Sequence, residues 1–402
     1  MVTIADFHIH SKFSLATSPL MVPVSIAQAA ERKGIGLVGT GDFLHPEYLN
    51  ILNESLEEEK HGIYRLKKGN SKVGFMPTVE VSNIFRTCGK TRKIHTIIFT
   101  PSLRDCAKLS KIFGKLGKTS SNGRPIFKFH VKELLKRVLD CSPESFLVPA
   151  HAWTPWYSVF GAFSGFDSIE ECFEEESDNI FSIETGLSSD PPMNWSISGL
   201  DRITLISNSD AHSPSKLGRE ANVFSKMPDF KELKNILKGE KRELFLNTIE
   251  FYPQEGKYFT DGHRKCGITL SPEETKSNGD RCPECGGKVT KGVLHRVREL
   301  SDRKPGSKPV NAIPPKYVIP LEEIIAFVVN KKVTSLHVKK IYEKMIESVG
   351  TEFHILLDAT EDELKSMAPE EIALAILAVR ERRVDITPGY DGVFGKIKIR
   401  NI

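Results

Sequence analysis

The first residues that could do chemistry are His8 and His10, which end the short apolar run Thr3-Ile-Ala-Asp-Phe-His-Ile-His10. Residues two apart in an extended strand project from the same face, so both imidazoles can point at one metal ion. Two ligands do not complete a metal site, and later strands must supply the others. Side chains of suitable chemistry at or near the edges of apolar runs are Asp42, Glu80, His95, His151, Asp210 and His212.

These candidates differ in strength. Asp210 and His212 repeat the spacing of His8 and His10, and His151 directly follows the apolar run ending at Ala150. Glu80 ends a predicted strand, where a carboxylate can bridge two cations and help them activate water, as in metal hydrolases. A lone buried histidine is more often structural, and His95 begins its strand, while Asp42 follows a glycine that also suits an ordinary turn. We predict a metal site in which Glu80, Asp210 and His151 are catalytic.

A second group of ligands lies in Gly256–Lys308, which has little apolar content and therefore needs a cross-link to hold a structure. Two pairs of residues on tight turns predict a closed tetrahedral zinc site: His263, Cys266, Cys282 and Cys285. Asp261 and His295 compete with His263 for the fourth position. The chain has seven cysteines, an odd number with four of them scattered, which argues against a secreted disulfide framework.

The net charge of +4 limits any nucleic-acid binding to local basic patches. The segment Cys106–Lys132, which we call the basic arm, contains lysines and arginine but no acidic residue. It is either a solvated insertion or a contact for DNA phosphates. The candidate DNA-binding residues are Lys111, Lys115, Lys118 and Arg124 in the arm and Arg264 and Lys265 beside the zinc ligands, with Lys288, Lys291, Arg296 and Arg298 nearby.

The elements that must position these residues alternate between short apolar runs and amphipathic runs, which predicts a β/α array. The predicted strands are Thr3–His8, Ile35–Thr40, Gly74–Val81, Ile94–Phe99, Phe146–Ala150, Ile180–Glu184 and Ile203–Ser207. The predicted helices among and after them are Val24–Lys33, Leu103–Phe113, Val131–Leu139 and Phe230–Leu237. In β/α barrels the active site collects at the carboxyl ends of the strands, where most of the candidate ligands fall.

After the proline-rich link Lys304–Pro320 the pattern becomes helical, over Leu321–Val329, Ser335–Ser348, Glu361–Ser366 and Pro369–Arg383. We predict three domains: a catalytic domain over 1–252, a zinc-binding ribbon over 253–310, and a helical domain with a turn-rich tail over 311–402. The helical domain is a candidate scaffold, and its C-terminal segment a candidate contact for a sliding clamp. Apolar runs stay short of membrane-spanning length and the N-terminus enters a strand directly, so we expect a cytoplasmic protein with no membrane partner.

The ligand pattern resembles the polymerase and histidinol phosphatase (PHP) superfamily, whose members are distorted β/α barrels with a trinuclear metal cluster. The matching positions are His8 and His10 in the first motif, Glu80 and His95 in the second, His151 in the third, and Asp210 with His212 in the fourth. The resemblance implies one metal on His8, His10, Glu80 and Asp210, and a second on Glu80, His95 and His151. It implies a third on His212 and Asp42. Ser11–Ala16 lacks the usual extra ligand, and His45 is an alternative.

The order of barrel, zinc ribbon and small α-helical domain resembles the endonuclease Q family of DNA repair enzymes over essentially the whole chain. The resemblance implies a DNA endonuclease that cuts on the 5′ side of hypoxanthine, uracil, xanthine and abasic sites, leaving a 3′-hydroxyl and a 5′-phosphate. The expected cofactors are a structural zinc and two or three divalent cations, Zn, Mg or Mn, in the active site. The alternatives are a small-molecule phosphomonoester phosphatase and a DNA-binding module with a decayed barrel.

Reading a damaged base requires an apolar pocket for a flipped nucleotide. Aromatic residues cluster directly after His151, in the order Trp153, Trp156, Tyr157, Phe160, Phe163 and Phe166. Core packing is the other explanation for these side chains. We expect Trp153 and Trp156 to stack on the base.

Overall fold

The structure, a computed structural model, describes residues 2–121 and 124–400. The strands in these ranges are β1 (Thr3–Asp6), β2 (Ile35–Gly39), β3 (Leu56–Lys60), β4 (Ile63–Leu66), β5 (Gly74–Met76), β6 (Thr78–Thr87), β7 (Lys90–Phe99), β8 (Ile126–Phe127), β9 (Phe146–Pro149), β10 (Ser182–Glu184), β11 (Thr204–Ile206), β12 (Ala221–Phe224), β13 (Phe245–Glu250), β14 (Asp261–His263), β15 (Ile268–Leu270), β16 (Pro315–Tyr317), β17 (Val384–Thr387) and β18 (Lys396–Ile399).

The helices of the described chain are α1 (Pro23–Lys33), α2 (Pro46–Ser55), α3 (Leu103–Phe113), α4 (Val131–Cys141), α5 (Ile169–Phe173), α6 (Pro191–Asn194), α7 (Phe230–Leu237), α8 (Pro272–Ser277), α9 (Val293–Leu300), α10 (Leu321–Val328), α11 (Leu336–Val349), α12 (Glu352–Leu357), α13 (Glu361–Met367) and α14 (Glu370–Arg380). Local sequence signals explain several of their ends. Helix α1 begins at Pro23 and is capped by Gly34, whose φ of 86° suits a residue without a side chain. Helix α3 is capped by Ser102, which accepts a hydrogen bond from the amide of Asp105.

An eight-stranded sheet, in the order β16-β13-β12-β1-β2-β5-β4-β3, carries the first two ligands. Strands β1, β2 and β5 are parallel to one another, and β12 and β4 continue the sheet in antiparallel fashion. The carboxyl ends of β1 and β2 therefore meet at one edge. His8 and His10 follow β1 there, and Asp42 follows β2.

The remaining strands around the site form a four-stranded sheet, β8-β6-β7-β9, and a two-stranded parallel sheet, β10-β11. The predicted strand Gly74–Val81 is in fact two strands, because Pro77 has no amide hydrogen for a ladder and separates β5 from β6. Beyond β1, a single bridge joins Ile9 to Ala211. The α/β class is confirmed, but within the described residues these sheets do not close into one hydrogen-bonded barrel.

Strands β6 and β7 form a long hairpin that the sequence analysis predicted only in part. Its two-residue turn is Cys88-Gly89, with φ of 47° and 74°, the left-handed geometry that tight hairpin turns favour. The β3–β4 hairpin was not predicted, since the run Leu56–Lys60 is mostly charged and exposed and lacks a strand-like alternation.

The C-terminal part differs from the predicted domain plan in two places. Strand β16 pairs with β13, so residues assigned to the helical domain extend the main sheet. The β17–β18 hairpin and its connecting turn return to the segment predicted to bind zinc, where Tyr390 bridges to Thr260. Helices α10 to α14 lie in the part of the chain predicted to be helical, and α12 was not predicted. No described helix is both long and apolar enough to cross a membrane; the cytoplasmic location stays a prediction.

Candidate metal centre

The first group of candidate ligands is His8, His10, Glu80 and Asp210, whose ligand atoms all lie within 4.8 Å of one another. The Nε2 atom of His10 lies 3.2 Å from Oε2 of Glu80 and 2.9 Å from Oδ1 of Asp210. The Nε2 atom of His8 is buried without a hydrogen-bond partner among the described residues, although it faces Glu80 Oε2 at 3.3 Å. Buried imidazole nitrogens converging on carboxylates fit a divalent cation.

The second group is Glu80, His95 and His151, again with ligand atoms within 4.8 Å of one another. Here the other oxygen of Glu80, Oε1, lies 2.8 Å from Nδ1 of His95 and 3.1 Å from Nε2 of His151. Glu80 thus presents one oxygen to each group, which is the geometry of a bridging carboxylate.

The β6–β7 hairpin explains why Glu80 and His95 meet. In its register Ser82 lies opposite His95, and Glu80 stands two residues before Ser82 on the same face of the strand. Three other candidates lie in turns with left-handed backbone: Asp42 (φ 33°), His151 (φ 29°) and Asp210 (φ 48°). Such conformations are unfavourable for residues with side chains and concentrate at functional sites.

Glu184 supports the centre through hydrogen bonds to His8 and to the backbone of His151, and it was not among the predicted site residues. Its carboxylate accepts hydrogen bonds from Nδ1 of His8 at 3.0 Å, the amide of His151 at 2.7 Å and the side chain of Asn208 at 2.9 Å. A carboxylate bound to one imidazole nitrogen directs the other nitrogen toward a metal. The signal available in the sequence was its place at the carboxyl end of a predicted strand, which it shares with Glu80.

The residues of the predicted third metal site, Asp42 and His212, are not in either of the two groups of converging ligand atoms. Oδ2 of Asp42 accepts hydrogen bonds from the amide and hydroxyl of Ser11, at 2.6 and 2.7 Å, and from Ser14 at 2.9 Å. Its Oδ1 lies 3.5 Å from Nδ1 of His10. The rings of His212 and His10 are 4.4 Å apart, whereas the ring of His45 stacks on Phe13. Asp42 and His212 flank His10, and their role as ligands stays a prediction.

Arg124 enters the centre, although the sequence analysis placed it in the basic arm as a DNA contact. Its Nε donates a hydrogen bond to Oε2 of Glu80. Burial alone would raise the pKa of Glu80, but the charges of Arg124 and His95 hold that pKa well below its usual range, so the carboxylate is ionised. Asn122 and Gly123, which precede Arg124 in the arm, lie outside the described residues.

A cleft of about 500 Å³ opens beside the centre and is walled partly by aromatic residues. Trp156 is 37% exposed and stacks on Phe163 with ring centres 4.9 Å apart. Trp153 is only 1% exposed, packs on Phe160 and donates its indole hydrogen to Asn194. The prediction that Trp153 stacks on DNA is therefore wrong: it is a satisfied core residue. Tyr157, next to Trp156 in the sequence, also lines the cleft, and residues distant in sequence complete the wall, namely Lys257, Tyr258 and Phe394.

The predicted zinc ligands also come together. His263, Cys266, Cys282 and Cys285 place their ligand atoms within 4.8 Å of one another. The two competing candidates pair instead with each other, with His295 Nδ1 2.5 Å from Asp261 Oδ2, and Asp261 also accepts a bond from the amide of Gly292 at the start of α9. Because Asp261 and His295 are hydrogen-bonded to each other, His263 is the better candidate for the fourth ligand.

Comparison with known proteins identifies relatives of this chain. Residues 320–383 match the family described as the MJ0043 C-terminal domain. The chain is 34% identical over 259 residues to the uncharacterized protein MJ0043 of Methanocaldococcus jannaschii, a match covering 62% of this chain but 32%, about a third, of that relative's length. It is 30% identical to the uncharacterized protein YqxK of Bacillus subtilis, over 98% of each chain.

Two solved structures extend the likeness over nearly the whole fold. The crystal structure of the lesion-specific endonuclease PfuEndoQ from Pyrococcus furiosus matches with a TM-score of 0.87 and 32% identity, covering 99% of this chain and 96% of that one. The chain belongs to the endonuclease Q family. A second endonuclease Q structure, in complex with a 27-mer duplex substrate with an abasic lesion at the active site, matches with a TM-score of 0.86 and 32% identity, over 99% and 97% of the two chains.

The endonuclease Q family membership confirms the resemblance drawn from the motifs. The basic residues predicted to grip DNA divide into two kinds. Lys111, Lys115 and Lys118 are exposed at the end of α3 and just after it, and Arg264 and Lys265 are exposed beside the candidate zinc ligands. Arg296 is buried, and its guanidinium donates to the carbonyls of Phe160 and Phe166, so the prediction that it faces DNA is wrong.

Proposed function

We propose that this chain is a metal-dependent DNA repair endonuclease that hydrolyses the phosphodiester on the 5′ side of deaminated bases and abasic sites. The observation that carries the proposal is the position of Glu80, which offers one oxygen to each of two ligand groups. His95, His151 and Asp210, which belong to these groups, line an open cleft. Family membership supports it, because one endonuclease Q structure is described as lesion-specific and another holds duplex DNA with an abasic lesion.

The ligand groups fit two divalent cations. His8, His10, Glu80 and Asp210 would hold one, and Glu80, His95 and His151 the other. Such cations, when bound, screen the negative phosphate and lower the pKa of water. Four histidines among the six candidate ligands favour zinc over magnesium, which prefers oxygen ligands.

The chain's own residues then have separate tasks. Glu184 orients His8 and the backbone at His151, and so keeps the ligand nitrogens directed at the centre. Arg124 reaches the centre from the basic arm, and its planar fork suits two oxygens of the scissile phosphate. The lysines of the arm hold the flanking backbone through phosphate contacts.

The endonuclease is favoured over the small-molecule phosphatase by two features. The cleft beside the ligands has exposed aromatic surface at Trp156 and Phe394, which a small phosphomonoester does not need. The likeness to endonuclease Q structures also extends through the zinc-binding segment and the helical part of the chain.

The test uses matched duplexes that differ only in one position: undamaged, uracil, hypoxanthine, xanthine or an abasic site. We expect one nick on the 5′ side of each lesion, a 3′-hydroxyl and a 5′-phosphate at the ends, and no incision after chelation. A simple aryl phosphate monoester is assayed in parallel. Hydrolysis of the monoester without incision of any duplex would replace the proposal by the phosphatase.

A further inference from the structure

The turn between β17 and β18, residues 388–395, is seated firmly against residues 254–260. The amides of Gly389, Gly392 and Gly395 donate to the carbonyls of Gln254, Lys257 and Glu255, at 2.7, 2.8 and 3.0 Å. A side-chain carbon added at Gly389 or at Gly395 would lie 2.4 Å from a backbone oxygen of this neighbouring segment. The glycines thus permit a contact too close for larger residues, and the turn is fixed in place.

This fixed turn exposes one large aromatic side chain. Phe394 is 67% exposed, yet it lines the same cleft as His151 and Asp210. The ammonium of Lys257 lies 5.9 Å from the centre of its ring and 5.5 Å from that of Tyr258. A single exposed apolar residue is ordinary on a protein surface. Phe394 differs because a rigid backbone holds it beside a lysine at the edge of the candidate active site.

An extruded nucleotide leaves a gap in the base stack of a duplex. Proteins that distort DNA often fill such gaps with an apolar side chain, which replaces part of the lost stacking. A phenylalanine on a rigid turn suits this task, since it loses little conformational freedom on binding, and Lys257 beside it can neutralise a neighbouring phosphate. Trp156 lies in the same cleft and stacks edge-on with Tyr258, with ring centres 5.6 Å apart.

We propose that Phe394 inserts into the DNA stack at the lesion and fills the gap left by the extruded nucleotide, while the surface of Trp156 receives that nucleotide. The turn 388–395 is then a part of the DNA-reading surface contributed by the far end of the chain. This inference rests on the proposed endonuclease function.

The test compares Phe394→Ala with Phe327→Ala, which removes another exposed phenylalanine, 42% exposed on α10 and outside the cleft. Incision is measured at a uracil paired with adenine in duplex DNA and at the same uracil in single-stranded DNA. A wedge acts only where a stack must be opened. Phe394→Ala should therefore reduce the rate of incision about tenfold or more on the duplex and change the rate little on the single strand. Phe327→Ala should change neither rate.

A second readout does not depend on incision. In the Glu80→Gln background, which keeps the DNA intact, 2-aminopurine opposite an abasic site should change its fluorescence on binding, and Phe394→Ala should remove most of that change. Equal losses on duplex and single strand, or an unaltered fluorescence change, would overturn the inference. Failure of the unmutated protein to incise any lesion would instead overturn the endonuclease proposal itself. Thermal melting checks that each variant is folded.

Discussion

The Nε of Arg124 donates to Oε2 of Glu80, the carboxylate that both groups of candidate metal ligands share. Arg124 belongs to the basic arm, so the arm reaches into the centre and does not merely lie beside it. Three other basic residues of the arm, Lys111, Lys115 and Lys118, are exposed. One segment therefore carries two kinds of positive charge, which different experiments can separate.

Replacing Lys111, Lys115 and Lys118 together by alanine should weaken binding to damaged and undamaged duplex alike. Binding releases fewer counterions from the DNA when phosphate contacts are lost. The magnitude of the slope of log affinity against log salt should therefore fall by up to about 0.9 for each lost contact. Arg124→Ala should instead reduce incision with a smaller effect on the slope. Binding measured over a series of salt concentrations distinguishes the triple variant from Arg124→Ala, and Lys238→Ala, at an exposed lysine, is the control. An unchanged slope in the triple variant would show that the arm is a solvated loop.

The double substitution Cys282→Ser and Cys285→Ser should release about one zinc per chain and loosen the segment Gly256–Lys308, because a structural metal supplies local folding energy. The turn 388–395 should loosen with it, since Thr260 donates to the carbonyl of Gly389 at 3.0 Å. Elemental analysis and limited proteolysis measure both effects. Cys88→Ser, at an exposed cysteine outside the ligand group, is the control, and an unchanged zinc content would refute the site.

Trp153 and Trp156 should behave differently although they are three residues apart. Trp153→Ala removes a core side chain and should lower the free energy of unfolding by about 3–5 kcal/mol, with losses on every substrate. Trp156→Ala should leave the melting temperature nearly unchanged. It should reduce incision at uracil and hypoxanthine more than at an abasic site, which has no base to stack. Equal incision losses on all lesions for Trp156→Ala would remove it from base recognition.

Two buried glutamates predict a dependence of stability on pH. Burial raises the pKa of Glu250 from 4.5 to about 8, against a hydrogen bond from Ser207, and burial with repulsion from Glu250 also raises the pKa of Glu220. Between pH 4.5 and 8 the folded chain keeps protons that the unfolded chain releases, so its stability falls as pH rises. Each retained proton contributes a slope of at most about 1.4 kcal/mol per pH unit.

Glu250→Gln should flatten this dependence, because an amide does not titrate. Urea unfolding from pH 5 to pH 8 measures the slope, and Glu240→Gln, at an exposed glutamate, should keep that of the unmutated protein. Identical slopes for Glu250→Gln and the unmutated protein would show that Glu250 is not protonated in the folded state near neutral pH.

Part of the centre could be predicted because short spacings and the ends of apolar runs mark several of its candidate ligands. The alternation of an extended chain places His8 and His10 on one face, and His151 and Asp210 each follow an apolar run. Glu80 was predicted at the carboxyl end of a strand, but it is the third residue of β6, because Pro77 divides the predicted strand. The candidate zinc ligands were recognisable because two short spacings define them, His263 with Cys266 and Cys282 with Cys285. Glu80 and His95 lie 2.8 Å apart in a hairpin of which only the two outer parts were predicted.

What the sequence could not give depends on long-range packing. Arg124 lies in a polar loop without periodicity, so nothing local directs its side chain to Glu80. Trp153 and Trp156 have similar neighbours in sequence, and only the fold decides that the first is buried. Phe394 reaches the cleft because the end of the chain returns to residues 254–260. The sliding-clamp contact and the third metal stay predictions.

The central claim is that the shared carboxylate supports metal-dependent cleavage of DNA. Its most direct test is incision of a duplex with one abasic site by the unmutated protein, Glu80→Gln, Asp210→Asn and the exposed control Glu57→Gln, each in chelated buffer with zinc, manganese or magnesium restored. We predict a single metal-dependent nick on the 5′ side of the lesion by the unmutated protein and Glu57→Gln. Glu80→Gln and Asp210→Asn should bind the duplex but leave it intact. Cleavage by Glu80→Gln at the unmutated rate, or cleavage that persists in chelator, would contradict the account.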